Sequence, residues 1–237
     1  MAQSEIVLYD LACTKNECFS PAVWRIRMML NYKKVPYETI FLEFQDIAPT
    51  LDRLGITLAE GQTKYTVPAI YHVPSNTYLM DSKPIAELIQ SYYPEPAVVM
   101  FPDFGAEIEA EMRAAAGPYW RLSVTPRELH ILSDGAQEYF RRTREPVLGP
   151  LEVNHEKEEA AWQNCDAALR AVGAKMLTNA AEGPFVLGAQ PSTTDFTIAG
   201  NLQLARVVDE GIFERIYQFP GFRDIYDACQ QFMKKKD

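Results

Sequence analysis

With 237 residues, the chain is long enough for one large domain or two ordinary ones, and its 47% hydrophobic and 23% charged residues exclude extended disorder. A formal net charge of -9, with Lys234-Lys235-Lys236 as the one basic run and reading as a solvated chain end, argues against a nucleic-acid partner. No apolar run approaches the roughly 20 residues of a membrane span, the N-terminus lacks the regions of a secretory signal, and Cys13, Cys18, Cys165 and Cys229 match neither a disulfide framework nor a zinc-site spacing; a cytosolic protein with reduced thiols, no membrane association and no metal is the expectation.

In chain order, Ile6 to Asp10 reads as a strand and Pro21 to Tyr32 as the first helix, with Ser20 at the N-cap position and Pro21 where its missing N–H costs nothing. The Ser20 hydroxyl thus sits at a positive helix end, either as a plain cap or as one more donor of an anion site. Tyr37 to Leu42 reads as a second strand, parallel to the first because a helix separates them. The stretch from Glu43 to Thr66 is long and mixed, with a short helix expected within Pro49 to Leu58. Val67 to Tyr71 and Thr77 to Met80 form a hairpin, with Pro68 at the first position or edge of its strand because it cannot donate to a ladder. Asp81-Ser82-Lys83-Pro84 opens the next helix, whose apolar face carries Ile85, Leu88, Ile89 and Tyr92.

Prolines at 94, 96 and 102 mark a linker, and beyond Gly105 the periodicity is helical throughout. Ile108, Met112, Ala116 and Tyr119 make one stripe, and Trp162, Cys165, Leu169 and Val172 another. A helix is expected from about Pro126 to Arg144 and a last one from about Phe222 to Met233. Ser192-Thr193-Thr194-Asp195 has capping-box spacing and launches a helix bearing Ile198, Leu202 and Ala205. The expected organisation is an α/β domain over residues 1–93, a linker over 94–104 and an all-helical domain over 105–237. His72, His130 and His155 suggest no Ser-His-Asp arrangement.

Taken together, Ser20-Pro21, Val67-Pro68, Asp81-Ser82 and Ser192 to Asp195, in this order within βαβ, ββα and a helical half, resemble the cytosolic glutathione transferases over essentially the full length. The stretches Cys18 to Arg27 and Phe41 to Ile47 resemble those of fungal transferases related to bacterial β-etherases. The resemblance implies a thioredoxin-like N-terminal domain with Pro68 in cis, Val67 offering its backbone to the cysteinyl part of glutathione, and Asp81 and Ser82 receiving the γ-glutamyl carboxylate. Lys64 is the candidate for the glycyl carboxylate. Ser20 is assigned as hydrogen-bond donor to the glutathione thiolate, glutathione being the co-substrate, which then attacks a hydrophobic aromatic electrophile. Tyr119, Trp120 and Arg121 are the candidate electrophile pocket between the domains, aryl ether cleavage is the narrowest version of the reaction, and a homodimer is implied. Two alternatives stand beside it: a ligandin carrying aromatic molecules, and a thiol transferase using Cys18.

Overall fold

The computed structural model describes residues 4–58 and 60–235. A four-stranded sheet runs in the order β2-β1-β3-β4, built from β1 (Ile6–Leu11), β2 (Tyr37–Leu42), β3 (Ala69–His72) and β4 (Thr77–Met80). β1 and β2 are parallel, with Ile6 opposite Tyr37 and Leu11 opposite Leu42, because α1 (Pro21–Lys33) carries the chain back between them. β3 pairs antiparallel with β1 and with β4, and α3 (Ser82–Tyr92) closes this half. It is the expected thioredoxin-like arrangement, with β3 starting just after Pro68 rather than at Val67. Asp10 at the end of β1 and Arg27 in α1 form a wholly buried ion pair at 2.9 Å, and Arg27 also donates to Thr39 Oγ1 of β2 at 3.0 Å. The pair therefore ties α1 to both parallel strands, and removing either partner would leave a buried charge uncompensated.

The helical half begins at Asp103 with α4 (Asp103–Tyr119), which runs directly into a π-helical turn at Trp120–Val124. The single helix expected from Pro126 to Arg144 is in fact two. A short α5 (Thr125–Glu128) and a 3-10 turn (Leu129–Ile131) end where Leu132 turns extended, and α6 (Asp134–Leu148) restarts at Ser133. Ser133 is an N-cap, its hydroxyl accepting from Ala136 N at 3.3 Å, and Asp134 follows in the first turn, so the break has a local cause. The short helix expected within 49–58 lies earlier, as α2 (Ile47–Arg53) after a 3-10 turn at Phe44–Asp46.

Next come α7 (His155–Met176), α8 (Thr193–Val208), α9 (Glu210–Tyr217) and α10 (Phe222–Cys229). The predicted stripes on α4, α7 and α8 are all buried. Central to the molecule is α8, buried along nearly its whole length and packed against α1 of the other half. Gly200 makes that approach close: a Cβ there would stand 3.0 Å from the Pro21 carbonyl oxygen and 3.1 Å from Trp24 Cβ. Of the basic tail, Lys235 is not solvated as expected but packs its Nζ over the Tyr37 ring at 3.9 Å; Lys236 lies outside the described residues.

Candidate active site

β1 delivers the chain through residues 12–19 to Ser20, whose φ of -66° and ψ of 121° make it the N-cap of α1, with Pro21 next. Trp24 N donates to Ser20 O at 2.9 Å, as a first helical bond should, but the Ser20 hydroxyl makes no capping bond. Among the described residues nothing hydrogen-bonds to it. It is half-buried and lines a cleft of about 290 Å³ between the two halves, walled by Phe19 and Leu11 on one side and by Phe140, Leu148 and Leu204 on the other. A hydroxyl at the positive end of a helix, held beside apolar walls and not engaged by its own backbone, is arranged to donate to an anion.

Val67 and Pro68 join through a cis peptide bond, and the backbone N–H and C=O of Val67 meet no partner among the described residues. Asp81 lies beside them, its N–H donating to Pro68 O at 3.0 Å. Asp81 has a φ of 77°, a left-handed value rare for a side-chain-bearing residue, and its carboxylate turns away from the α3 N-terminus to accept from Thr66 Oγ1 at 2.9 Å and from Gln62 Nε2. The start of α3 therefore keeps its first N–H groups without a side-chain cap. Ser82 Oγ accepts from Arg25 Nη1 at 3.3 Å, which leaves its own proton to give. Arg25 is fixed by Thr197 Oγ1 of α8 at 2.9 Å from Nε and by Glu109 of α4 at 3.2 Å. The structure thus brings Val67, Pro68, Asp81 and Ser82 together at one end of the sheet.

Lys64 is exposed and bonded to no described residue. Tyr119, Trp120 and Arg121 do not line the Ser20 cleft. They face a neighbouring cavity of about 410 Å³ between α4, α8 and the π turn, which shares only Thr125 and Leu148 with the cleft. Tyr119 is 1% exposed and stacks on Trp162 at 3.9 Å, as a core side chain does. Cys18 is buried, 0% exposed, its carbonyl accepting from Trp24 Nε1 at 2.9 Å. Burial, reinforced by the Asp10 charge, pushes its thiol well above the ordinary range, the opposite of what thiol transfer needs. Cys18 does not line the cleft, so the thiol-transferase alternative loses its nucleophile.

Sequence reasoning missed three charged residues here: Arg25, which bridges α1, α3, α4 and α8, and Glu128 and Arg144, which line the Ser20 cleft. Burial pushes Glu128 up to about 8, with the Arg144 charge opposing. Only the break at Ser133 could have revealed the last two, since α6 restarts there and brings Arg144 to the cleft that Glu128 also lines.

Residues 19–91 match the family described as glutathione S-transferase, N-terminal domain, and residues 108–221 match glutathione S-transferase, C-terminal domain. The glutathione S-transferase-like protein ustS of Aspergillus flavus is 30% identical, the match covering 98% of this chain and 92% of that protein. Among solved structures, glutathione transferase GSTFuA2 from Phanerochaete chrysosporium superposes with a TM-score of 0.82 at 28% identity, covering 100% of both chains. Glutathione S-transferase CsGST63524 of Ceriporiopsis subvermispora, solved in complex with glutathione, gives a TM-score of 0.83 at 23% identity, covering 99% of this chain and 100% of that one.

Proposed function

The chain belongs to the glutathione S-transferase family, and from that premise we propose that it binds glutathione along Val67, Pro68, Asp81 and Ser82 and activates it as thiolate at Ser20 for attack on hydrophobic aromatic electrophiles. In this reading residues 1–93 bind glutathione, 94–104 link, and 105–237 complete the pocket of a cytoplasmic homodimer. The observation that carries it is the Ser20 hydroxyl: it occupies an N-cap position without capping and faces the interdomain cleft.

A thiol with a reference pKa of about 8.5 is a few per cent ionised at neutral pH, and lowering it by about two units takes about 2.7 kcal/mol of preferential thiolate stabilisation. One hydrogen bond to a charged group supplies roughly 1.5–3 kcal/mol and a helix N-terminus roughly 0.3–1 kcal/mol. Serine and helix end together suffice without a metal or a base. The unpartnered Val67 backbone suits the cysteinyl segment, which would add to the sheet as a short strand. The uncapped start of α3 and the Ser82 hydroxyl suit the γ-glutamyl carboxylate. In this arrangement Asp81 serves by shape, its left-handed backbone aiming the α3 N–H groups while its carboxylate holds the Gln62–Thr66 loop. Apolar walls of Phe19, Phe44 and Phe140 favour an aromatic electrophile, aryl ethers included.

The second cavity supports a carrier reading beside the enzymatic one. It lies apart from Ser20 and is lined by Trp120, Met112 and Leu148 with Arg113 and Arg121 at its rim, a setting for an aromatic ligand.

Ultraviolet absorbance of bound glutathione against pH tests the proposal. Thiolate appearing near pH 6–7, with its titration moved upward in Ser20→Ala, supports it; a bound thiol that titrates as in water in both proteins reduces Ser20 to a helix start and leaves the carrier reading.

A further inference from the structure

The Ser20 cleft holds an acid that thiolate formation does not use. Glu128 ends α5 and lines, together with Phe44, Phe140 and Leu148, the cleft that Ser20 opens onto. No described residue donates a hydrogen bond to it, unlike Glu158, which Arg127 holds at 2.7 Å and 3.0 Å. Among the described residues, the one charged group facing it is Arg144 of α6, whose guanidinium packs over the Phe140 ring at 5.3 Å and donates to Thr143 Oγ1 at 3.3 Å rather than to the carboxyl. The other walls bring no charge: Leu11 from β1, Phe19 and Pro21 at the α1 start, Phe44 from the 3-10 turn, Leu204 from α8. Desolvation with a cation near but not bonded keeps Glu128 largely as the neutral acid at pH 7, with an O–H to give.

We propose that Glu128 is the proton donor to the departing oxygen when glutathione attacks an aryl ether in this cleft, so that Ser20 and Glu128 serve opposite ends of one displacement. The inference rests on the thiolate reading above. The thiolate sulfur forms a bond to carbon and the carbon–oxygen bond breaks, its electron pair going to oxygen. The Glu128 proton passes to that oxygen and a phenol leaves. The carboxylate so formed faces Arg144, and the proton shed when the next glutathione thiol ionises restores it through solvent. In sum, thiol and ether become thioether and phenol. An acid titrating near 8 protonates a phenolate of pKa about 10 downhill while staying protonated at working pH, the matching that general acid catalysis requires.

The experiment uses the full chain with glutathione and a series of phenacyl aryl ethers, from nitrophenyl to methoxyphenyl, with phenacyl chloride as a leaving group that takes no proton. Glu128→Gln should lower kcat about 100-fold for the methoxyphenyl ether, less than threefold for the nitrophenyl ether, and leave the chloride unchanged. The dependence of log kcat on phenol pKa should steepen, and the fall in kcat above about pH 8 seen in the unsubstituted protein should vanish. Glu128→Asp should keep that fall. Equal loss on ethers and chloride, a retained alkaline limb in Glu128→Gln, or chloride turnover without ether turnover in the unsubstituted protein overturns the proposal alone. No chloride turnover, with the bound thiol titrating as in water, overturns the thiolate reading and the proposal with it.

Discussion

Two regions of this molecule each combine a serine at a helix start with a carboxyl group, and their polar atoms face opposite ways. At the start of α8 the partners face each other: Ser192 Oγ donates to Asp195 Oδ2 at 2.6 Å, Ser192 N donates to the same oxygen at 2.7 Å, and Val186 N donates to Asp195 Oδ1 at 2.8 Å, all fully buried. At the start of α1, Ser20 makes no capping bond and Glu128 across the cleft receives none from any described residue. The first pair is saturated and has nothing left to offer a ligand. The second keeps a donor and an acid facing a space between the two halves. Residue type does not separate a structural helix start from a chemical one; whether its hydrogen bonds close on themselves does.

Breaking the closed pair should produce the largest effect. Asp195→Ala removes the acceptor of the Val186 and Ser192 N–H groups in a buried setting, so a loss of about 3–5 kcal/mol is expected, read as a lower urea midpoint at unchanged slope. A loss under about 1 kcal/mol would erase the contrast. Ser20→Ala should instead act on chemistry, raising the pKa of bound glutathione by about one to two units, the equivalent of roughly 1.5–3 kcal/mol, read in the same absorbance titration.

Much of the fold was legible in the sequence. Tyr37–Leu42 and Thr77–Met80 are strands to the residue, because alternation and turn residues bound them on both sides, and the capping box at Ser192 forms as its spacing says. Within 126–144 the helical periodicity continues through the break, and only the Ser133-Asp134 start, a short-range signal, marks it. Ser20 and Pro68 stand out because each punctuates an element boundary, whereas the roles of Val67, Asp81 and Ser82 come from the resemblance to glutathione transferases. Glu128 and Arg144 could not be singled out, since mid-pattern charges read as solvated faces until α5 and α6 are known to line one cleft. Tyr119 differs again: expected in the pocket between the domains, it lines the neighbouring cavity and not the Ser20 cleft, while its buried ring stacks on Trp162.

The carboxyl of the open pair also couples stability to pH. Glu128 holds its proton in the folded protein up to about pH 8, against an ordinary 4.5 when unfolded, so the folded state binds the extra proton between those values. Its stabilising contribution is complete below about pH 4.5 and is lost as pH rises towards 8. Allowing for the cleft's opening to solvent, the loss is on the order of 2 kcal/mol. Glu128→Gln should therefore raise the thermal midpoint at pH 8.5 relative to the unsubstituted protein and leave little difference at pH 5. An equal shift at both values would mean that the acid is charged throughout.

The smallest effect is the most direct measure of the contrast between the two helix starts. Ser192→Ala deletes a hydroxyl that accepts from Asp195 N at 3.4 Å and donates to its carboxylate, and should cost about 1–2 kcal/mol, the range for a lost N-cap. Ser20→Ala deletes a hydroxyl that caps nothing, and Ala at this extended position keeps the Trp24 N to Ser20 O bond because that bond uses only backbone. Its cost to the ligand-free protein should be no more than a few tenths of a kcal/mol. Adding saturating glutathione should then separate the proteins, since the ligand stabilises each by RT ln(1 + [L]/Kd) and only the unsubstituted one gains the thiolate bond. If Ser20→Ala costs as much as Ser192→Ala without glutathione, the hydroxyl at α1 is a cap after all.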